Sequence, residues 1–171
     1  MAGVADTNYA ALWDITDNIA DTAGEQNKAM YADGVYQRDL YNMIKSIVEA
    51  FDGITAKLDA DGGVTDEDYV TNCALTAMGA SGNLIEPNGI DNVKLVTALE
   101  DMETKFEVLT AQLDADGGVH DTDYGDLDFD MDTVNITDEG IHDQGVVINY
   151  LQEVVAAIAA LNAQLDADES E

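Results

Sequence analysis

Leu58-Asp59-Ala60-Asp61-Gly62-Gly63-Val64-Thr65-Asp66-Glu67-Asp68-Tyr69 is spelled twice in this chain. The second copy, Leu113 to Tyr124, reads Leu-Asp-Ala-Asp-Gly-Gly-Val-His-Asp-Thr-Asp-Tyr, with ten of twelve positions identical. The chain opens on the second half of the phrase, Val4-Ala5-Asp6-Thr7-Asn8-Tyr9, and closes on its first half, Leu165-Asp166-Ala167-Asp168. Cutting between glycine and valine gives three tandem units, residues 4–63, 64–118 and 119–171, expected to pack as one structural domain. A repeat of this length dictates architecture before any local pattern does, because a unit so small buries its apolar face only against its neighbours.

Each unit ends in a regular apolar stripe. Working back from Leu58 it runs Ile54, Phe51, Ile47, Ile44 and Leu40; from Leu113 it runs Leu109, Phe106, Met102, Leu99 and Leu95; from Leu165 it runs Leu161, Ile158, Val154, Leu151 and Val147. Gaps alternating between four and three put each set on one side of a helix in heptad register. These eighteen residues are the expected bundle core. One stripe position earlier stand Gln37, Asn92 and Gln144, either core-facing amides that fix register or polar residues at a helix start. The expected fold is all-α: three tandem helix-turn-helix repeats forming a helical bundle, with irregular or short extended insertions.

The junctions read as corners. Gly62-Gly63 suits a helix stop in left-handed backbone space, Thr65 can cap a new helix with Asp68 three residues later, and Val64 can staple to Tyr69. A short helix over 69–78 should follow, then a loop with a turn at Pro87. In the first unit the stripe register extends back to Tyr9, so residues 6–58 fit either one long helix or two helices broken near Ala32-Asp33-Gly34. Leu127, Phe129 and Met131 alternate with acids, as a short strand or extended loop would. With Trp13 they are candidate interface anchors. The last helix is nearly uncharged through Val154-Val155-Ala156-Ala157-Ile158-Ala159-Ala160-Leu161, which points to a central place or a subunit contact involving Val155, Ala157 and Ala160.

Composition removes several functions. Thirty-six acidic residues against six basic ones give a formal net charge of -30. Such a surface repels nucleic acid and anionic membranes alike, and no run of about 18 apolar residues exists to cross a bilayer. The opening Met1-Ala2-Gly3-Val4-Ala5-Asp6 does not have the pattern of a signal peptide. Cys73 stands alone, which rules out an intrachain disulfide and a cysteine metal cluster. Lys57 to Asp68 can be laid on a calcium loop, but Lys57, and Gln112 in the second copy, occupy the first ligand place, and Asp replaces the bidentate Glu at the last. His120 and His142 are too separated in sequence for a site, and no phosphate loop, dinucleotide fingerprint or nucleophile-base pattern appears. No catalytic residue, metal or cofactor is expected.

Ile54-Thr55-Ala56-Lys57-Leu58-Asp59-Ala60-Asp61-Gly62-Gly63-Val64-Thr65-Asp66 and Leu109-Thr110-Ala111-Gln112-Leu113-Asp114-Ala115-Asp116-Gly117-Gly118-Val119 resemble a segment recurring in small virion structural proteins of tailed bacteriophages, especially marine and cyanobacterial ones. The resemblance covers about a third of the chain. It extends to head decoration proteins and to fibres. It implies a structural role on the virion, most simply a decoration or cement protein on the capsid surface, with the major capsid protein or another virion protein as partner. It also implies self-association, with a trimer as one form; a trimeric head, neck or tail fibre, or a scaffolding protein, is the alternative.

Overall fold

The computed structural model describes residues 4, 9, 34–66, 68–75, 85–86, 89–90, 92–121, 123–127 and 144–168. It is all-α. Three long helices dominate: α1, Gly34–Ala60; α3, Asn92–Ala115; and α4, Gln144–Asp168. Between the first two lie α2, Tyr69–Asn72, and two strands of two residues each, β1 (Ile85–Glu86) and β2 (Gly89–Ile90). The strands pair antiparallel, Ile85 with Ile90, and flank the position where a turn at Pro87 is expected. A 3-10 turn, Tyr124–Asp126, follows α3.

The heptad stripes become the core. Every stripe residue from Ile44 to Leu58, from Leu95 to Leu113 and from Val147 to Leu165 is at most 1% exposed. Leu40 lies in α1, but its side chain falls outside the described residues. Asn92 and Gln144 are the first residues of their helices, so the helix-start reading applies to those two amides.

The long helices run parallel. Tyr150 on α4 donates its hydroxyl to the carbonyl of Leu99 on α3 at 3.2 Å, and these residues lie at matching heights above Leu165 and Leu113. At the far end, Gly118 beyond α3 abuts Gly63 beyond α1, while α1 also packs on α4. All three C-termini therefore meet at one end of the bundle. Helices of 24 to 27 residues are about 36–40 Å long, and about 17 to 19 residues separate the short turns from the next helix, enough chain to return that distance. One chain supplies all three helices of the bundle.

Several local expectations change. Tyr9 touches Asp61, at the C-terminal end of α1, so residues 6–58 are not a single straight helix, whose ends would stand about 80 Å apart. The helix expected over 69–78 stops at Asn72, where Lys105 Nζ donates to the Asn72 carbonyl at 2.9 Å. Thr65 caps nothing, because the helix starts at Tyr69 and its first amides are capped by Asp59 from the helix before. Val64 and Tyr69 are both buried, as the staple requires. Nor is α4 surrounded by its own chain: three equal stripes share the axis, leaving Ala156, Ala159, Ala160 and Ala163 exposed.

Three of the corner glycines do not serve the purpose expected. Gly62, Gly117 and Gly118 do not adopt left-handed backbone angles. What Gly118 supplies is room, since a Cβ there would strike the carbonyl oxygen of Gly63 and the backbone and side chain of Thr65. A Cβ on Gly117 would meet nothing within 4 Å. Gly118→Ala should therefore lose about 1–3 kcal/mol, and Gly117→Ala should change little; denaturant midpoints of the two variants check the pair.

Candidate functional site

Where the three C-termini meet, the repeated phrase builds the same clasp three times. The described residues of each strap, Val4 and Tyr9 in the first, and those from Val64 to Tyr69 and from Val119 to Tyr124 in the others, are held between the ends of two helices. The first aspartate of the preceding helix receives the tyrosine amide: Tyr69 N to Asp59 at 2.6 Å, Tyr124 N to Asp114 at 2.8 Å, and Tyr9 N to Asp166 at 2.8 Å. The third member closes a ring, because residues 4 and 9 dock on the last helix although they begin the chain.

The second aspartate reaches across to the neighbouring strap. Asp116 accepts from Thr65 N at 3.0 Å, Asp66 N at 2.9 Å and the Tyr69 hydroxyl at 3.0 Å, and from Gly118 N of its own turn at 2.7 Å. Asp168 accepts from His120 N, Asp121 N and Val4 N at 2.7–3.1 Å. Asp61 accepts from Gly63 N at 2.8 Å and the Tyr9 hydroxyl at 3.0 Å. One further side chain per helix backs each strap. Gln112 donates to Asp68 at 2.9 Å, Gln164 to Asp121 at 3.0 Å, and Lys57 lies 4.1 Å above the Tyr9 ring.

The second aspartates, Asp61, Asp116 and Asp168, are buried, and each accepts from two or more donors. Burial alone would push Asp116 up, but the amides of Asp66, Gly118 and Thr65 and the Tyr69 hydroxyl outweigh it and hold the group below its ordinary value. Tyr69 is shifted the other way, chiefly by burial and then by the Asp116 charge, so its phenol stays protonated and donating. Burial pushes the Cys73 thiol up to about 11, with Lys105 opposing and Asp59 and Asp68 adding to the rise. A buried thiol held protonated is a packing group rather than a nucleophile. The aspartates that could be laid on a calcium loop spend their oxygens on N–H and O–H donors. Among the described residues, no group of three or more His, Cys, Asp or Glu side chains is placed to hold a metal ion, and no helix is long and apolar enough to cross a membrane.

The third sector departs from the other two. Among the described residues, the buried Tyr124 hydroxyl and Asn162 Oδ1 find no hydrogen-bond partner. Val4 N bonds the Asp168 oxygen equivalent to the one on Asp116 that accepts from Gly118 N, while the other Asp168 oxygen accepts from Asp121 N as its counterpart does from Asp66 N. Asn162 stands where Thr55 and Thr110 return their hydroxyls to Asp52 O and Glu107 O at 3.1 Å. Tyr124→Phe is thus expected to be neutral or stabilising, whereas Tyr69→Phe should lose about 1.5–3 kcal/mol for a bond to a charged acceptor. Asn162→Thr should gain about 1 kcal/mol. Thermal melts of these three variants read the contrast directly.

Of the interface candidates, Leu127 is half-buried against the core and Val155 and Ala157 are buried. Ala160 is exposed, so a large side chain there does not overfill the chain's own core. Trp13, Phe129 and Met131 lie outside the described residues, as does His142; His120 is exposed. The clasp is only half legible in the sequence: the phrase marks the place, but nothing in a linear sequence says that its acids reach between helices. No family model, curated protein or solved structure matches this chain.

Proposed function

We propose that this protein is a non-enzymatic structural component of a tailed-bacteriophage virion, a decoration or cement protein that binds the assembled capsid surface and stabilises it. The observation that carries the reading is the ring of clasps: one chain closes three parallel helices into a near-threefold unit by means of the segment that resembles phage particle proteins. In this reading, residues 4–63, 64–118 and 119–171 are tandem helix-turn-helix repeats, the short helix being a single turn in the second and third, at Tyr69–Asn72 and Tyr124–Asp126. A shell built from repeated subunits offers local threefold axes, and a chain with three equivalent sectors can contact three of them at once. Binding only to the assembled shell stabilises it by mass action.

The buried aspartates Asp61, Asp116 and Asp168, engaged by N–H and O–H donors, support a mechanical role over a chemical one. The exposed alanines of α4 are the surface we assign to contact with the major capsid protein or a second virion protein. Supply of three helices by one chain weighs against a fibre in which three chains each give one. Purified mature virions should contain the chain in a copy number matching shell trimers or hexamers by quantitative mass spectrometry. Its absence from mature particles would instead favour a scaffold, and a handful of copies a neck or tail position.

A further inference from the structure

The second and third clasps are built from the same phrase but are not equally tied. The second strap is anchored at its start by Thr65 N, Asp66 N and the Tyr69 hydroxyl on Asp116, and by Tyr69 N on Asp59. It is anchored again at Asn72, whose carbonyl accepts from Lys105 and whose side-chain amide donates to Gln112 at 3.2 Å. Gln112 in turn donates to Asp66 and Asp68, and the buried Cys73 and Leu75 hold the chain that follows. The third strap keeps the backbone bonds, His120 N and Asp121 N on Asp168 and Tyr124 N on Asp114. Among the described residues it lacks the rest. Its tyrosine hydroxyl is buried without a partner, Gln164 ties it at Asp121 alone, and its helix is a three-residue turn ending at the half-buried Leu127.

We propose that the third clasp is a latch: Val119 to Leu127 releases Asp168 on α4 and Asp114 on α3 as a local unit, while the second clasp stays shut. The sign follows from the two phenols. Opening the second clasp breaks a bond between the Tyr69 hydroxyl and an ionised acceptor, which is among the stronger hydrogen bonds a protein makes. Opening the third breaks none, and it returns to water a hydroxyl that burial has stripped of hydrogen bonds. Asn162 Oδ1, on the helix that receives this strap, is buried under the same penalty. The strap stays covalently joined to α3 through Gly117-Gly118, and the stripe side chains from Leu95 to Leu113 and from Val147 to Leu165 need not separate for it to lift. The open latch uncovers the end of the seam between α3 and α4 and frees the Asp168 carboxylate from His120 and Asp121.

The test is amide hydrogen exchange of the full chain followed by NMR, under conditions where each rate reports an opening equilibrium. Protection of the His120, Asp121 and Tyr124 N–H groups is compared with that of Thr65, Asp66 and Tyr69, which have matching acceptors. The third-clasp set should be at least about tenfold less protected than the second. Tyr69→Phe should lower protection of the residue-69 amide by about tenfold or more and leave the Tyr124 amide within about twofold of wild type. Tyr124→Phe should leave the residue-124 amide equally or better protected. Equal protection of the two wild-type sets, or a less protected second set, overturns the proposal. So does a loss of about tenfold at residue 124 in Tyr124→Phe, or a fall at Tyr124 that keeps step with residue 69 in Tyr69→Phe. Should either variant fail to fold, the wild-type comparison decides by itself.

Discussion

Asp116→Ala is expected to destabilise the protein by about 3–5 kcal/mol. The side chain is 5% exposed and accepts from four donors contributed by the next turn and the neighbouring strap. Two of those donors belong to exposed residues, Thr65 and Asp66, and water can replace the lost acceptor there. Gly118 N and the Tyr69 hydroxyl belong to buried residues, and each buried donor left unsatisfied costs about 1–3 kcal/mol. Asp66→Ala is the matched control: its exposed carboxylate accepts from Gln112 at 3.3 Å, and a change of about 0.5 kcal/mol or less is expected.

The same residue sets a pH signature. Its folded-state value is depressed, so its contribution is fully present above the unfolded value of about 3.9 and declines as pH falls through the folded one. Wild-type melting temperature should fall across that acid window. Asp116→Asn, which cannot titrate, should start lower at neutral pH and fall less steeply. A variant whose acid limb runs parallel to the wild type would show that other carboxylates dominate acid unfolding.

Legibility in the sequence followed the range of the forces involved. The stripes were readable because helix periodicity is local: a four-three spacing of Ile, Phe and Leu has one efficient burial, and the described stripe side chains are buried. The corner at Gly62-Gly63 was readable for the same reason. What the local grammar misassigned was the partner of each polar group. Thr65 and Asp68 have the spacing of a cap, but Asp59 takes the amides of Tyr69 and Val70, because the turn folds the chain back onto the helix it has just left. Gly118 fits the usual helix stop, but a neighbouring backbone rather than a left-handed angle requires it. Ring closure was hinted at only by the phrase being split between the two ends of the chain. The apolarity of α4 suggested a central helix because composition cannot distinguish a face turned to the axis from one left open for a partner.

Phe106→Ala should be as damaging as Asp116→Ala, for a different reason. Phe106 is 1% exposed and lies seven residues before Leu113 on its stripe, as Phe51 lies before Leu58 and Ile158 before Leu165. With helices parallel and in register, these three side chains form one layer across the axis. Removing the ring deletes its burial energy and leaves a cavity that three packed helices cannot close without displacing Met102 and Leu109 above and below, for a loss of about 3–5 kcal/mol. At about 2–4 °C per kcal/mol for a chain of this size, the melting temperature should fall by roughly 10 °C or more. Phe51→Ala should match it, because the two rings occupy equivalent places. Val108→Ala, two residues along the same helix but 36% exposed, should stay within about 0.5 kcal/mol of wild type. If Phe51→Ala and Phe106→Ala differ greatly, the three helices do not share their core equally. If the double variant loses much less than the sum of the singles, the rings are in contact and the layer is a single packing unit.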